Sequence, residues 1–337
     1  MNTVIKKHIG MANIAIPPIR GSVDNTAANQ VKKQMSDFPD SIPSGETSMM
    51  MTTTDAAAPA QAQPVRTPNG HHVEKGYGNT IYSGKVENLP YPKTFDLEAA
   101  IEAMYTDGYC IVPGVLNRAE VAELREKMDR SGEDDSKYDM KNWCFNKHLS
   151  VDFHLDPFYL KYLDRPGVVD VEQAIHGPGC RATGGTLWIT GKGRNMGIHL
   201  DYLPLGMPQE YLEDPRVRIP IFSSTAHFYL NDMVEELGPT TVVPKSHLAG
   251  RPPNNETTWN GIAPQYVMVK AGDVMIFRTE IWHGAGMNSS DQRRYLMQIF
   301  YGYSTLATGY PPIKYESLYN PQVVAQATPR QRTLLGG

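Results

Sequence analysis

The chain has 337 residues, 40% hydrophobic and 9% aromatic, enough for a sizeable core in one large domain or two small ones. A formal net charge of −4 gives no basis for binding nucleic acid or an anionic membrane, and no apolar run approaches the ~20 residues that span a bilayer. Cys110, Cys144 and Cys180 are scattered without a C-x-x-C pair. Neither a disulfide framework nor a zinc ribbon is expected, and a reducing, cytoplasmic setting is.

The N-terminus lacks the continuous apolar stretch of a secretory signal. It is acid-poor before Asp24 and carries Lys6, Lys7 and Arg20, so organellar targeting stays open beside the cytoplasmic reading. Residues 1–90 read as a flexible, low-complexity arm. Ser41 to Asn69 is Ser, Thr, Ala, Pro and Gln around Met49-Met50-Met51, with neither helical nor strand periodicity. Such a stretch buries too little apolar surface to offset chain entropy. The pair His71-His72 in this Gly/Pro-rich linker is expected to be inert rather than metal-binding.

The body, residues 91–306, opens with a helix over Phe95 to Tyr105, a turn at Asp107-Gly108 and a strand over Tyr109 to Val112. Asn117 is the expected N-cap of the next helix, with Glu120 as its capping-box partner. That helix runs to about Arg130 and sets Val121, Leu124 and Met128 on one face. Residues 131–147, with Trp143 and Phe145, read as loop. Pro166 to Ala174 reads as helix, closed by His176-Gly-Pro-Gly179.

From Gly185 the character changes. Thr186–Thr190, Ala226–Leu230, Thr241–Val243, Tyr266–Val269, Val274–Phe277 and Tyr295–Tyr301 are short β-branched or aromatic runs separated by Gly, Pro, Asn and Asp. Short strands at this spacing, with no helices between them, predict an antiparallel sandwich or barrel. The fold class is therefore α+β with a mainly β core and helices first. The tail, 307–337, is expected to wrap the surface.

Within the β-rich part, His199 and Asp201 stand two residues apart, and strand side chains at i and i+2 leave the same face. One imidazole and one carboxylate converging in this way is two-thirds of the facial triad that holds non-haem Fe(II). The motif is weak alone, since His154-Leu-Asp156 repeats it upstream of the β core. Farther on, His283 sits at a strand end in Trp282-His283-Gly-Ala-Gly-Met-Asn288, beside glycines that let backbone and ligands come close. Arg294 lies 11 residues after it on the next apolar run. A guanidinium there suits a dicarboxylate, because its planar fork pairs bidentately with one carboxylate. On a strand, Arg293 and Arg294 point to opposite faces, and the hydrophobic pattern leaves open which is inside.

Four features in order resemble the phytanoyl-CoA dioxygenase family of Fe(II)/2-oxoglutarate oxygenases. Tyr105-x-x-Gly108-Tyr-x-Ile-Val-Pro-Gly114 with its following helix looks like that family's opening, and His199-x-Asp201 like its ligand pair. Leu230-Asn-Asp232 through Gly238-Pro-Thr-Thr-Val-Val-Pro-Lys-Ser-His247 is similar to its central loop, with Lys245 where Gly is usual. Gly272-Asp273 through Arg294 resembles its last signature. The likeness covers about residues 95–305. It implies a double-stranded β-helix (jelly roll) with flanking helices, and Fe(II) on His199, Asp201 and His283. It also implies 2-oxoglutarate with its far carboxylate on Arg294 (favoured over Arg293 by the family spacing), and O2 as the other cosubstrate.

The implied reaction is oxidation of a small metabolite, of the secondary-metabolic kind, coupled to decarboxylation of 2-oxoglutarate to succinate. Hydroxylation is the usual outcome; desaturation, ring closure and epimerisation are known diversions. Thr186 and Trp188 are candidate lining residues for the cosubstrate, and Tyr202 and Met196 for the substrate, against the plain reading that strand aromatics are core. His227 and His247 read as structural, and Lys192, Arg194 and Arg181 as solvated. Halogenation is disfavoured because Asp201 holds the position that Gly or Ala takes in halogenases. A non-catalytic jelly-roll binding module and a cupin-like metal isomerase remain the alternatives. The expected partner is a small-molecule substrate, with no nucleic acid and no membrane span; whether the chain forms a homodimer is open.

Overall fold

The computed structural model describes residues 80–131 and 147–337. The expectations for Ser41 to Asn69, His71-His72, and Trp143 to Phe145 lie outside the described residues. Among those described, the strands are β1 (Glu87–Asn88), β2 (Tyr109–Val112), β3 (Lys147–Ser150), β4 (Arg181–Thr190), β5 (Met196–His199), β6 (Ser223–Tyr229), β7 (Thr240–Val242), β8 (Gln265–Tyr266), β9 (Val274–Arg278), β10 (His283–Ala285) and β11 (Arg294–Gly302). They form a five-stranded sheet, β1-β8-β7-β10-β5, and a six-stranded sheet, β2-β9-β6-β11-β4-β3. Every pairing is antiparallel except that of β1 with β8. From β4 onward the chain passes repeatedly between the two sheets, which is the jelly-roll arrangement.

The helices form where local chemistry starts and stops them. Asp96 accepts a hydrogen bond from the Ala99 N–H, so the first helix covers Leu97–Thr106 rather than beginning at Phe95. Asn117 and Glu120 form the expected reciprocal capping box at the head of Arg118–Arg130. The helix expected from Pro166 begins instead at Val168. Gly167 precedes it with φ +79°, and its N–H donates to the Asp170 carboxylate at 2.9 Å.

Two apolar layers result. On the outer face of the six-stranded sheet, Leu187, Ile189, Phe228, Met297 and Ile299 pack against Met104, Leu124, Met128 and Ile175 of the helices. Between the sheets, Ile111, Tyr229, Met275, Phe277 and Leu296 meet Val242 and Val267. Strand alternation sorts β6 between these layers: Ser224, Ala226 and Phe228 face the helices, while Thr225, His227 and Tyr229 face the interior. All seven residues of β6 are buried, so its polar members are there for contacts, not for solubility. On the outer face that contact is a buried cluster. The Ser224 hydroxyl donates to Glu172 at 2.5 Å and meets His176 Nε2 at 2.8 Å, tying the 168–176 helix to the sheet.

Four readings need correction. Strand β4 begins at Arg181, five residues before the expected Thr186, because Gly184-Gly185 continues the strand instead of breaking it. A Cβ on Gly185 would come within 2.8 Å of the Gln298 carbonyl, so glycine lets β4 and β11 approach. The expected strand over Tyr266–Val269 is only Gln265–Tyr266. Residues 80–90, assigned to the arm, join the body: Asn88 pairs with Tyr266, and Leu89 is 4% exposed in the inter-sheet core. The tail does more than lie on the surface, for Ile313, Val323, Leu334 and Leu335 are buried in the outer core. It is shaped by two helices, Pro321–Gln326 capped by Asn320 and Pro329–Leu334 capped by Thr328.

Candidate metal centre

Strands β5 and β10 are neighbours, and their register sets His199 opposite His283. The two rings lie 4.3 Å apart, centroid to centroid. Each imidazole is pinned by the same local device. His199 Nδ1 meets the Gly197 carbonyl at 2.9 Å, and His283 Nδ1 meets the Ile281 carbonyl at 3.1 Å, in each case two residues back. A carbonyl only accepts, so Nδ1 carries the proton in both rings and Nε2 keeps its lone pair. Both Nε2 atoms face one carboxylate oxygen, Asp201 Oδ1, at 3.8 and 3.5 Å. Burial holds both rings neutral. It pushes His199 down to about 3, with His283 adding to the effect and Asp201 opposing it, and His283 down to about 4.

Asp201 is not on the strand, as its spacing from His199 suggested. Strand β5 ends at His199, and the Asp201 and Tyr202 amides are instead held by the Thr279 carbonyl at 3.0 and 3.2 Å. The carboxylate is aimed from the other sheet: the Thr225 hydroxyl of β6 donates to Oδ2 at 3.0 Å, leaving Oδ1 toward the two rings. The donor atoms of His199, Asp201 and His283 all lie within 4.8 Å of one another. Two neutral imidazole nitrogens and one carboxylate, each oriented by a second hydrogen bond, are the donor set that suits a divalent transition metal. Gly284 matters beside them, because a Cβ there would come within 2.7 Å of the Met196 carbonyl on β5.

The remaining candidates fall around this centre at different depths. Arg294 is 6% exposed, in register with Thr190 on β4. Burial above all, then His283, then Arg294 hold the His227 imidazole well below its ordinary pKa. Arg293 points the other way, its side chain 67% exposed and 3.8 Å from Asp129. Thr186 is buried on the interior face: it receives the Trp188 indole N–H at 2.8 Å and donates to Gln298 Oε1 at 2.8 Å. Tyr202 stands at the rim, 52% exposed. Met196 starts β5, half-buried and in register with Ala285, with a bulge between that pair and the His199–His283 pair.

The other histidines have different partners. His154 and Asp156 serve the helical layer: Asp156 accepts from the Phe158 amide at 2.9 Å and from Lys127 at 2.6 Å, and His154 stacks on Tyr310. His247 Nε2 bonds the Tyr105 carbonyl at 3.2 Å, and a Cβ on Gly108 would come within 2.6 Å of its other nitrogen. Lys192 pairs with Asp291 at the surface. Thr225 and Gln298 escaped the sequence reading. The available signal was alternation, which puts each on the inner face of its strand, opposite Ala226 and Phe228 in β6 and Met297 and Ile299 in β11.

The family model for phytanoyl-CoA dioxygenase matches residues 104–295, which takes in all four of His199, Asp201, His283 and Arg294. An uncharacterized protein of Mycobacterium tuberculosis is 24% identical over 220 residues, 62% of this chain and 75% of that protein. Among solved structures, HygX from Streptomyces hygroscopicus with nickel, 2-oxoglutarate and hygromycin B bound is 19% identical. The match covers 63% of this chain and 89% of that one, with a TM-score of 0.51. The iron-bound form of HygX gives 18% identity, 65% and 90% coverage and a TM-score of 0.50, a likeness of fold. The chain thus belongs to the phytanoyl-CoA dioxygenase family, the non-haem iron oxygenases whose cofactor and cosubstrates are Fe(II), 2-oxoglutarate and O2.

Proposed function

We propose that this chain oxidises a small-molecule metabolite, by hydroxylation in the simplest case, while 2-oxoglutarate is converted to succinate and CO2. His199, Asp201 and His283 are the iron ligands in this reading. Arg294 pairs with the far carboxylate of 2-oxoglutarate. Bound iron supplies oxygen activation, coupled to oxidation of the keto acid.

The residues of the chain contribute position and environment. The Gly197 and Ile281 carbonyls fix the imidazole tautomers, and Thr225 fixes the carboxylate. Asp201, with its side chain 25% exposed, marks the open side from which substrate reaches the centre, next to Tyr202. The buried guanidinium of Arg294 supplies the positive charge that a dicarboxylate needs away from solvent. HygX, which shares the fold, has a crystal structure with nickel, 2-oxoglutarate and hygromycin B bound, and that supports a small molecule as substrate class.

The observation that carries the reading is the convergence of three pre-oriented donor atoms within 4.8 Å. An anaerobic titration with Fe(II) and then 2-oxoglutarate tests it. A visible metal-to-ligand charge-transfer band is expected, and on admitting O2, succinate release stimulated by the true substrate. No band together with no succinate would overturn the reading and favour a metal isomerase or a binding module.

A further inference from the structure

A chain of hydrogen bonds crosses the interior face from Trp188 to His227, and its direction can be worked out link by link. The Trp188 indole N–H can only donate, and it donates to Thr186 Oγ1 at 2.8 Å. The Thr186 hydroxyl proton is then free to go onward, to Gln298 Oε1 at 2.8 Å. With its oxygen committed to Thr186, Gln298 presents its amide nitrogen to His227 Nε2 at 2.6 Å. That nitrogen donates, so His227 Nε2 must accept. The opposite sense would spend both Thr186 lone pairs on donors and leave its buried hydroxyl proton without this acceptor.

An imidazole whose Nε2 accepts carries its proton on Nδ1. His227 is 3% exposed, and its Nδ1 is buried with no hydrogen-bond partner. A buried donor left unsatisfied is costly, and native structures rarely keep one without a use. The other polar atoms of the relay are bonded; the open end is this N–H. Its surroundings say what belongs there. His227 shares the inner face of β6 with Thr225, which orients Asp201, and its ring centroid is 6.4 Å from that of His283. Arg294 and His199 are also near enough to act on it electrostatically. The ring that carries the open donor thus lies among the metal ligands and the buried guanidinium, a region that an anion bridging the two would fill.

We infer that the Nδ1–H of His227 is a hydrogen-bond donor to a carboxylate oxygen of 2-oxoglutarate, held in that tautomer by Gln298, Thr186 and Trp188. This rests on the function proposed above and adds to it a binding residue and three positioning residues. The role of Trp188 and Thr186 becomes specific as well: they do not touch the cosubstrate but set the proton on the ring that does. A neutral donor at this place satisfies an anion without adding a second buried cation beside Arg294.

The test uses full-length protein loaded with zinc or manganese, so that nothing turns over. In the zinc form, nitrogen-15 NMR of the histidine rings reads the tautomer of His227. Nδ1–H is expected, with its proton resonance shifting on addition of 2-oxoglutarate. In the manganese form, calorimetry gives the 2-oxoglutarate affinity. His227→Leu is expected to weaken it about 10- to 100-fold, the usual worth of a hydrogen bond to a charged group, with metal affinity changed by less than about threefold.

His227→Asn, whose amide nitrogen stands near the place of Nδ1, should recover most of the loss. An Nε2–H tautomer, an Nδ1 proton unmoved by 2-oxoglutarate, or a His227→Leu protein that binds as tightly as wild type would overturn the inference. Should His227→Leu fail to fold, the wild-type spectra and the Asn variant decide alone. Failure of the wild type itself to bind 2-oxoglutarate would overturn the proposed function, and this inference with it.

Discussion

The chain carries H-x-D twice, and the two copies have opposite fates. Their carboxylates are similarly exposed, with side chains at 25% for Asp201 and 31% for Asp156, so accessibility does not separate them. The neighbours do. Asp156 caps the short turn at Pro157–Tyr159 and is neutralised by Lys127, while His154 stacks edgewise and face-on between Tyr319 and Tyr310. At Asp201 one oxygen takes the Thr225 hydroxyl and the other faces two imidazole lone pairs. The candidate metal site is thus set apart by what converges on the carboxylate from other strands. In the helical layer the same three-residue string supplies a cap.

The largest effect expected from this contrast is at the two aspartates. Asp201→Ala removes a ligand and the charge that offsets the metal, and should weaken Fe(II) binding by more than the ~10–100-fold that losing an outer hydrogen bond costs. Asp156→Ala should leave metal affinity unchanged and lower stability by about 1 kcal/mol, the worth of a helix cap and an exposed ion pair. Anaerobic Fe(II) titration and thermal unfolding of both variants measure this. Iron loss in the Asp156 variant alone would reverse the assignment.

Next in size is the pair on β11. Arg294→Gln should weaken 2-oxoglutarate binding by about 3–5 kcal/mol, since it strips the charged partner from a buried carboxylate. Arg293→Gln, outside and beside Asp129, should change it by less than about threefold. Calorimetry on manganese-loaded protein reads both. Equal losses would mean that Arg293 also contributes to the cosubstrate site.

Smaller again is the effect of the groups that orient each motif. Thr225→Val leaves the shape of β6 but removes the donor to Asp201 Oδ2, so metal affinity should fall about 10–100-fold with little loss of stability. Lys127→Ala, the matching change at the other motif, should leave metal affinity alone. If Thr225→Val binds iron as wild type does, the carboxylate is oriented by its backbone contacts to Thr279 instead.

Much of this was legible in the residues. The cap at Asn117 and the strands β2, β9 and β11 follow from local chemistry and alternation; His199 and Asp201 stand out by their two-residue spacing, and His283 by its place at a strand end beside glycines. What escaped depends on distance in the chain. Nothing near Leu89 reveals that it packs between sheets, since its partner strand begins at Gln265. The tail helices were signalled by Asn320-Pro321 and Thr328-Pro329, yet only packing against the 160–163 segment and β4 makes Leu334 core. The coupling of His227 to Gln298 needs the β6–β11 register, which aligns two residues 71 apart. Asp201 teaches the converse: the spacing was informative although the strand it implied stops at His199.

The central claim is that three donor atoms, pre-oriented from two sheets, hold the metal. Anomalous diffraction from crystals grown without oxygen with Mn(II) and 2-oxoglutarate tests this most directly. One peak is expected, bonded to Nε2 of His199, Nε2 of His283 and Oδ1 of Asp201, with 2-oxoglutarate reaching from it toward Arg294. A peak on His154 and Asp156, or manganese bound through Nδ1 of either ring, would contradict the account.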